Sequence, residues 1–305
     1  MMDFVGKRHW FFLGSACALL IAVIALVGFG LRPGIDFTGG TSMTLHFETQ
    51  VEQTDLRETI WETGHPEASI QRSEDDYLVR LSQLNVDERE TLIETLNTTL
   101  ASEVTVLDYN TVSPAVASET AENAGLAVLI ASVAMLLYIA WAFRRMPSPF
   151  KWGACAIVAL IHNILIVAGV FAILGRFSGV EIDALFITGL LTIVGYSINN
   201  TVVVFDRIRE NRAKGLSSDL HITVNASLVE TVVRTINTTL TTLCVILALL
   251  LFGGATIHYF ILVLFLGLLI GTYSSMFIAG PLLVTWEKKE WGEIVERLRP
   301  GKQAA

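Results

Sequence analysis

The chain has 305 residues, 52% of them hydrophobic and only 16% charged, with a mean hydropathy of +0.57. A soluble domain carries roughly a quarter charged residues, so this composition excludes one ordinary globular core. The formal net charge of −8 excludes a broad basic surface for nucleic acid.

Lys7 and Arg8 precede an apolar run over residues 10–30. The run is longer than a signal-peptide core, and Arg32-Pro33-Gly34 after it makes a poor cleavage site, so the reading is an uncleaved first spanning helix. Residues 31–123 form a head with its connectors. Residues 31–122 hold 18 Asp/Glu against 5 Lys/Arg. That acidity reads as a face for a basic partner, as ordinary solubility or as adaptation to salt.

Within the head, Thr41–Phe47 alternates as a strand does. Thr49-x-x-Glu52 predicts a cap on a helix running to Trp61, and Gly64-His65-Pro66 stops it. Ala68–Arg72 and Tyr77–Leu81 read as two short strands around a polar turn. Asn85-x-x-Glu88 predicts a second cap, with a helix over Thr91–Leu100, and Glu103–Tyr109 is the last strand. The order β-α-β-β-α-β is the ferredoxin-like pattern. Residues 110–123 read as a connector.

Five further runs reach the ~20 residues a bilayer demands: 124–142, 153–175, 182–205, 236–255 and 259–285. The fold class is therefore a polytopic α-helical membrane protein, six transmembrane helices with an extracytoplasmic ferredoxin-like α+β head. Spans two to six lie within 124–285, between a 1–9 amino-terminal segment and a charged tail at 286–305 that suits a short amphipathic helix.

Lys7/Arg8, Arg144/Arg145/Lys151, Arg207/Arg209/Arg212/Lys214 and Lys288/Lys289 fall on one side of the spans, and only Arg176 near the other. The positive-inside rule makes both termini cytoplasmic and turns the head outward. Trp10, Trp141, Trp152 and Trp286 fall at cytoplasmic span ends and read as interfacial anchors in membrane lipid. Cys17, Cys155 and Cys244 lie in apolar runs without a CxxC and read as small apolar filler.

The fourth span ends in Gly195-Tyr196-Ser197-Ile198-Asn199-Asn200-Thr201, then Asp206-Arg207. Tyr196 with Asn200, and Ser197 with Thr201, are four apart and share helix faces. Polar side chains in hydrocarbon need partners, so this face points into the bundle, for structural hydrogen bonding or for conformational coupling. Asn200 does not titrate. Asp206 reads as an edge salt bridge or as part of a gate, and Asp183 as a companion of a positive helix end. His162 and Asn163 sit in the middle of span three, for packing or for titration. Arg234 leads into span five, either snorkelling to the interface or facing the polar end of span four. Gly39-Gly40 belongs to no nucleotide loop, and no cofactor, metal cluster or catalytic constellation is expected, so the chain is not read as an enzyme.

The segment Gly34-Ile35-Asp36-Phe37-Thr38-Gly39-Gly40-Thr41 resembles the signature after the first helix of the SecF protein-export family. So does Val194 through Asn199, continuing over Thr201-Val-Val-Val-Phe-Asp206-Arg207-Ile208-Arg209-Glu210, and Leu251-Phe252-Gly253-Gly254 is similar to the end of that family's fifth helix. The resemblance covers nearly the whole chain. It implies a bacterial or archaeal cell-membrane protein of the broader resistance-nodulation-division fold group. Its partners would be SecD, the SecYEG channel and a secretory polypeptide, with an ion gradient coupled to movement of outer domains.

One departure matters. The family commonly carries an ion-relay aspartate where this chain has Asn200, while its important arginine matches Arg234. The expectation is a SecF-like accessory subunit in which Asn200, Asp206 and Arg234 form the coupling region. Asp36, Phe37, Gly39 and Gly40 fix the first helix to the head, and Gly195, Tyr196, Ser197 and Asn199 carry the span-four motif. Asn200 remains able to hydrogen-bond Arg234, with the relay on SecD or absent. The alternatives are a non-motive scaffold for SecD and the channel, or half of a small-molecule exporter.

Overall fold

In hydrocarbon each backbone N–H and C=O must be satisfied within its own segment, so long apolar runs become helices. The computed structural model describes residues 3–73, 75–144, 146 and 148–288. In chain order it contains α1 (Arg8–Phe29), a single turn α2 (Ile35–Thr38), β1 (Gly40–Phe47), α3 (Gln53–Glu62), β2 (Ser69–Ser73), β3 (Asp76–Leu81), α4 (Val86–Thr99) and β4 (Val104–Val112). Then follow α5 (Pro114–Ala142), α6 (Pro149–Ser178), α7 (Ala184–Ala213), α8 (Leu220–Phe252) and α9 (Ala255–Ser274), and a π-helical turn (Ser275–Ala279) leading into α10 (Gly280–Lys288). Among the described residues six stretches have spanning length and hydropathy: α1, α5, α6, α7, α8 and the continuous Ile257–Glu287. The chain is thus a multi-pass membrane protein with an α/β region.

Two compact units divide the chain. One comprises residues up to Gly30, Val128–Val170 and Thr188 onward; the other comprises Leu31–Ala127 with Phe171–Ile187.

The second unit holds an antiparallel sheet in the order β2-β3-β1-β4. Strand alternation decides which face is apolar. Met43 and Leu45 of β1 and Tyr77 and Val79 of β3 are buried with Leu56 and Ile60 of α3 and Leu92 and Leu96 of α4. The Asn85–Glu88 capping box forms as predicted. Thr49 does not cap α3: the N-cap is Glu52, without a side-chain bond, and Thr49 N–H donates to Ser102 Oγ at 3.2 Å.

The other differences are boundaries. β4 continues to Val112 and α5 starts at Pro114, so helix occupies most of the expected connector at 110–123. Proline is pre-organised for a first helical position, and the Ala- and Glu-containing stretch after it carries the helix on. α8 begins at Leu220, well before the apolar run at 236, because its first turns bury Val224, Ala226 and Leu228 inside the protein. The tail expected at 286–305 lies outside the described residues beyond Lys288.

In the first unit α6 and α7 are half buried in their apolar windows, whereas α5 and α8 leave most of theirs exposed. Trp152 corrects the anchor expectation: it is 0% exposed and packs against Phe143 at 5.5 Å and Phe205 at 5.1 Å. Trp10 and Trp141 are exposed, as anchors are. Helices approach closely where side chains are small; a Cβ on Gly267 would overlap Ile193.

Gly39 and Gly40 have φ of +77° and +132°, a region L side chains rarely occupy. A Cβ on Gly40 would also stand 2.6 Å from the Leu81 carbonyl oxygen. The pair lets the chain enter β1 beside β3 and the start of α5. Gly40→Ala is expected to destabilise the head by about 1–3 kcal/mol, read as a lower denaturant midpoint for protease protection of the head; an unchanged midpoint contradicts this account.

Candidate functional site

The polar face of α7 meets neighbours from three helices. On one side Tyr196 Oη donates to Thr239 Oγ1 of α8 at 3.4 Å. Thr239 and Thr272 of α9 share a hydrogen bond of 2.9 Å, and Thr272 donates onward to the Leu268 carbonyl at 2.8 Å. Asn200, 5% exposed, donates from Nδ2 to Thr272 Oγ1 at 3.5 Å. These groups are all uncharged, so the layer is neutral, and Thr272 both accepts from Asn200 and donates to Leu268.

On the other side Asn163 Nδ2 of α6 donates to Ser197 Oγ at 2.8 Å. The Asn163 carbonyl oxygen lies 3.0 Å from Nδ1 of His162. Thr201 returns its hydroxyl to the Ser197 carbonyl. The sequence spacing therefore places Tyr196, Ser197, Asn200 and Thr201 as expected, but their partners on α8 and α9 carry no spacing signal. Thr239 lies within a threonine-rich run that hinted at polarity; Thr272 and Tyr273 had no such hint.

Arg234 is not brought to Asn200. It is exposed on α8, as is Asn237, while the Asn200 amide reaches Thr272. Asn199 is likewise exposed, and Gly195 is half-buried beside it. Asp206 pairs with Arg209 at 2.5 Å, both side chains about half exposed. Arg207 pairs with Glu210 and with Glu230 of α8, and Glu230 also accepts from Asn211 at 2.9 Å.

The motif after α1 has a different role within the second unit. Asp36 Oδ2 accepts from the backbone N–H of Ala184, the first residue of α7, at 2.8 Å. Asp183 Oδ1 accepts from Phe186 N–H at 2.8 Å. Two orphan amides of the helix start are thereby satisfied, and both carboxylates face the positive end of the dipole. Around them Gly34 N–H donates to the Ile182 carbonyl at 2.7 Å, and Ile182 N–H to Arg32 at 2.8 Å. Gln71 bonds the Gly179 carbonyl, and Arg80 lies 3.4 Å from Glu181. Burial pushes the Glu181 carboxyl above its ordinary range, opposed by Arg80, Ser69 and Arg32. Burial also raises Asp183, opposed by the Phe186 amide and reinforced by Asp36. Phe37, half-buried, lines a cleft of about 360 Å³ with Thr120, Ala124 and Ile187.

Residues 92–289 match the family described as "Protein export membrane protein SecD/SecF, C-terminal", and residues 24–51 match the "SecD/SecF GG Motif". The chain is 41% identical to "Protein translocase subunit SecF" of Thermobaculum terrenum, covering 98% of each, and 40% identical to the protein of that name from Anaerolinea thermophila, covering 95% of this chain and 96% of that one. It also resembles the crystal structure of SecDF, a translocon-associated membrane protein from Thermus thermophilus, with a TM-score of 0.85 and 37% identity over 94% of this chain. It spans only 39% of that longer polypeptide.

Replacing the capping carboxylate, Asp36→Ala, is expected to cost the start of α7 about 0.5–2 kcal/mol. Amide exchange at Ala184 then speeds up several-fold, while Asp36→Asn, which keeps an acceptor, retains most of the protection. Unchanged exchange in Asp36→Ala contradicts the cap.

Proposed function

The chain belongs to the SecD/SecF family of protein-export membrane proteins, and from that premise we propose that it works with SecD beside the SecYEG channel to promote movement of secretory polypeptides. Its role is that of a non-enzymatic accessory subunit of the Sec translocase. The observation that carries this reading is the 98% mutual coverage with a relative named as the SecF subunit. The 39% share of the Thermus SecDF chain supports a partner that supplies the remainder, namely SecD. Exposed polar groups on spanning helices, Asn199 on α7 and Arg234 on α8, support the same reading, since such groups seek protein or water rather than lipid.

The head is ferredoxin-like in this reading: six elements in β-α-β-β-α-β order and a sheet ordered β2-β3-β1-β4 support it. It occupies residues 31–123 on the extracytoplasmic side, with residues 1–9 and 286–305 cytoplasmic, by the Lys/Arg bias of the loops. Asp36, Phe37, Gly39 and Gly40 join the first span to the head and hold the start of α7. Gly195, Tyr196, Ser197 and Asn199 form the span-four motif. Asn200, Arg234 and Asp206 are taken as three separate positions of the coupling machinery, of which Asn200 positions helices and carries no ion.

A scaffold reading, in which the subunit stabilises SecD and the channel without a motive step, draws on one observation: Asn200 is held by a neutral hydroxyl. Pulse-chase maturation of a secretory reporter separates the two. Depletion with SecD retained slows maturation several-fold, wild type restores it, and Asn200→Ala at matched abundance restores it only in part. Full rescue by Asn200→Ala favours the scaffold, and no rescue by wild type refutes the export assignment.

A further inference from the structure

The membrane unit contains an ionisable side chain that this reading leaves unused. His162 lies near the middle of α6 and is 3% exposed. An ionisable group at such a place is costly and calls for a role. Its tautomer is fixed by its neighbour. Asn163 spends its amide N–H on Ser197, so its carbonyl oxygen faces the ring and accepts from Nδ1. The neutral imidazole then keeps its lone pair on Nε2. That atom has under 1 Å² of accessible surface and no hydrogen-bond partner among the described residues. Unpaired buried nitrogens are rare in folded proteins, because each forfeits the hydrogen bonds it made in water.

Two helices pack against the ring, and a third reaches it through Asn163. From α1 come Gly14, Ser15 and Ala18, and from α9 come Leu269, Ile270 and Tyr273; with the imidazole they line a cleft of about 320 Å³. From α7 comes Ser197, through Asn163. Tyr273 is the titratable group that faces His162 from these elements, its ring 6.5 Å away and inclined by 24°. No Asp, Glu, Lys or Arg is among the residues lining the cleft. Tyr273 in turn ties α9 to α1: its hydroxyl donates to the Phe11 carbonyl at 2.9 Å and accepts from Ser15 at 3.4 Å. Two residues past it the helix passes into the π-helical turn Ser275–Ala279, a departure from α geometry that is frequent at functional sites.

We infer that His162 is a protonation switch of the membrane-spanning unit, with Nε2 taking up the proton. With Nε2 sealed, a proton arrives only when α1 and α9 part, and the new N–H then needs an acceptor that the closed packing does not offer. Water entering the widened cleft supplies both. Uptake of one proton is thereby linked to separation of α1 from α9, while Nδ1 stays bonded to Asn163 and passes the change to α7 at Ser197. The biological output of the switch rests on the export reading; the titration itself does not.

The full chain in lipid nanodiscs, labelled with 15N-histidine, tests this. Between about pH 5 and 8, one imidazole is expected to pass from the Nδ1–H tautomer to imidazolium, and His162→Gln removes that signal. Amide exchange around Ser15 and Ile270 rises several-fold over the same interval in wild type and not in His162→Gln. In membranes with the complete translocase, His162→Gln abolishes stimulation of export by a proton gradient and leaves gradient-independent export in place. No titration of His162, titration without the change in exchange, or full gradient stimulation in His162→Gln overturns the switch. If His162→Gln fails to accumulate, the wild-type titration and its exchange profile decide. Titration with the exchange change, but no export by wild type, sinks the translocase reading and upholds the switch.

Discussion

Everything in the spanning unit depends on one constraint: α7 carries amides and hydroxyls into a region where lipid offers no partner. Tyr196, Ser197, Asn200 and Thr201 occupy successive turns of one helix, and α6, α8 and α9 arrange themselves to receive them. The cost of leaving such groups unmet exceeds the worth of any single bond formed. The positions of Thr239 and Thr272 follow from that asymmetry, as does the burial of α6 and α7 relative to α5 and α8.

The amide at position 200 shapes the chemistry of this layer. A carboxylate there would need a cation or a proton; an amide is satisfied by a hydroxyl, and Thr272 supplies one. Arg234 is correspondingly free of any duty at Asn200 and lies exposed on α8. The head is organised by a separate set of contacts in which Asp36 reaches the first amide of α7 and Gly40 lets β1 run close to β3. A short motif next to α1 in sequence thus fixes the beginning of a helix almost 150 residues later.

Much of this was legible in the residues. Strand alternation in Thr41–Phe47, the short strand at Tyr77–Leu81, the Asn85–Glu88 box and the six apolar runs each have a local physical cause, and each appears in the structure. Motif spacing placed Tyr196 and Asn200 on one face. What local signals missed was tertiary. The helical start at Pro114 sits in a stretch polar enough to read as a loop. Trp152 sits at a span end like Trp10, and only the aromatic partners Phe143 and Phe205 distinguish a core tryptophan from an anchor. Thr272 is one of several hydroxyls in an otherwise apolar helix, and what faces it sets it apart.

The most direct test of the neutral chain around α7 is a double-mutant cycle on Thr239→Val and Thr272→Val, measured as unfolding free energy of the full chain in bicelles. Valine keeps the volume and deletes the hydroxyl. The account predicts a coupling of about 0.6 kcal/mol between the two, the usual size for an interhelical hydrogen bond in a membrane protein. Strictly additive losses would mean that the two hydroxyls do not hold the helices together, and the account of the α7 layer would fail with them.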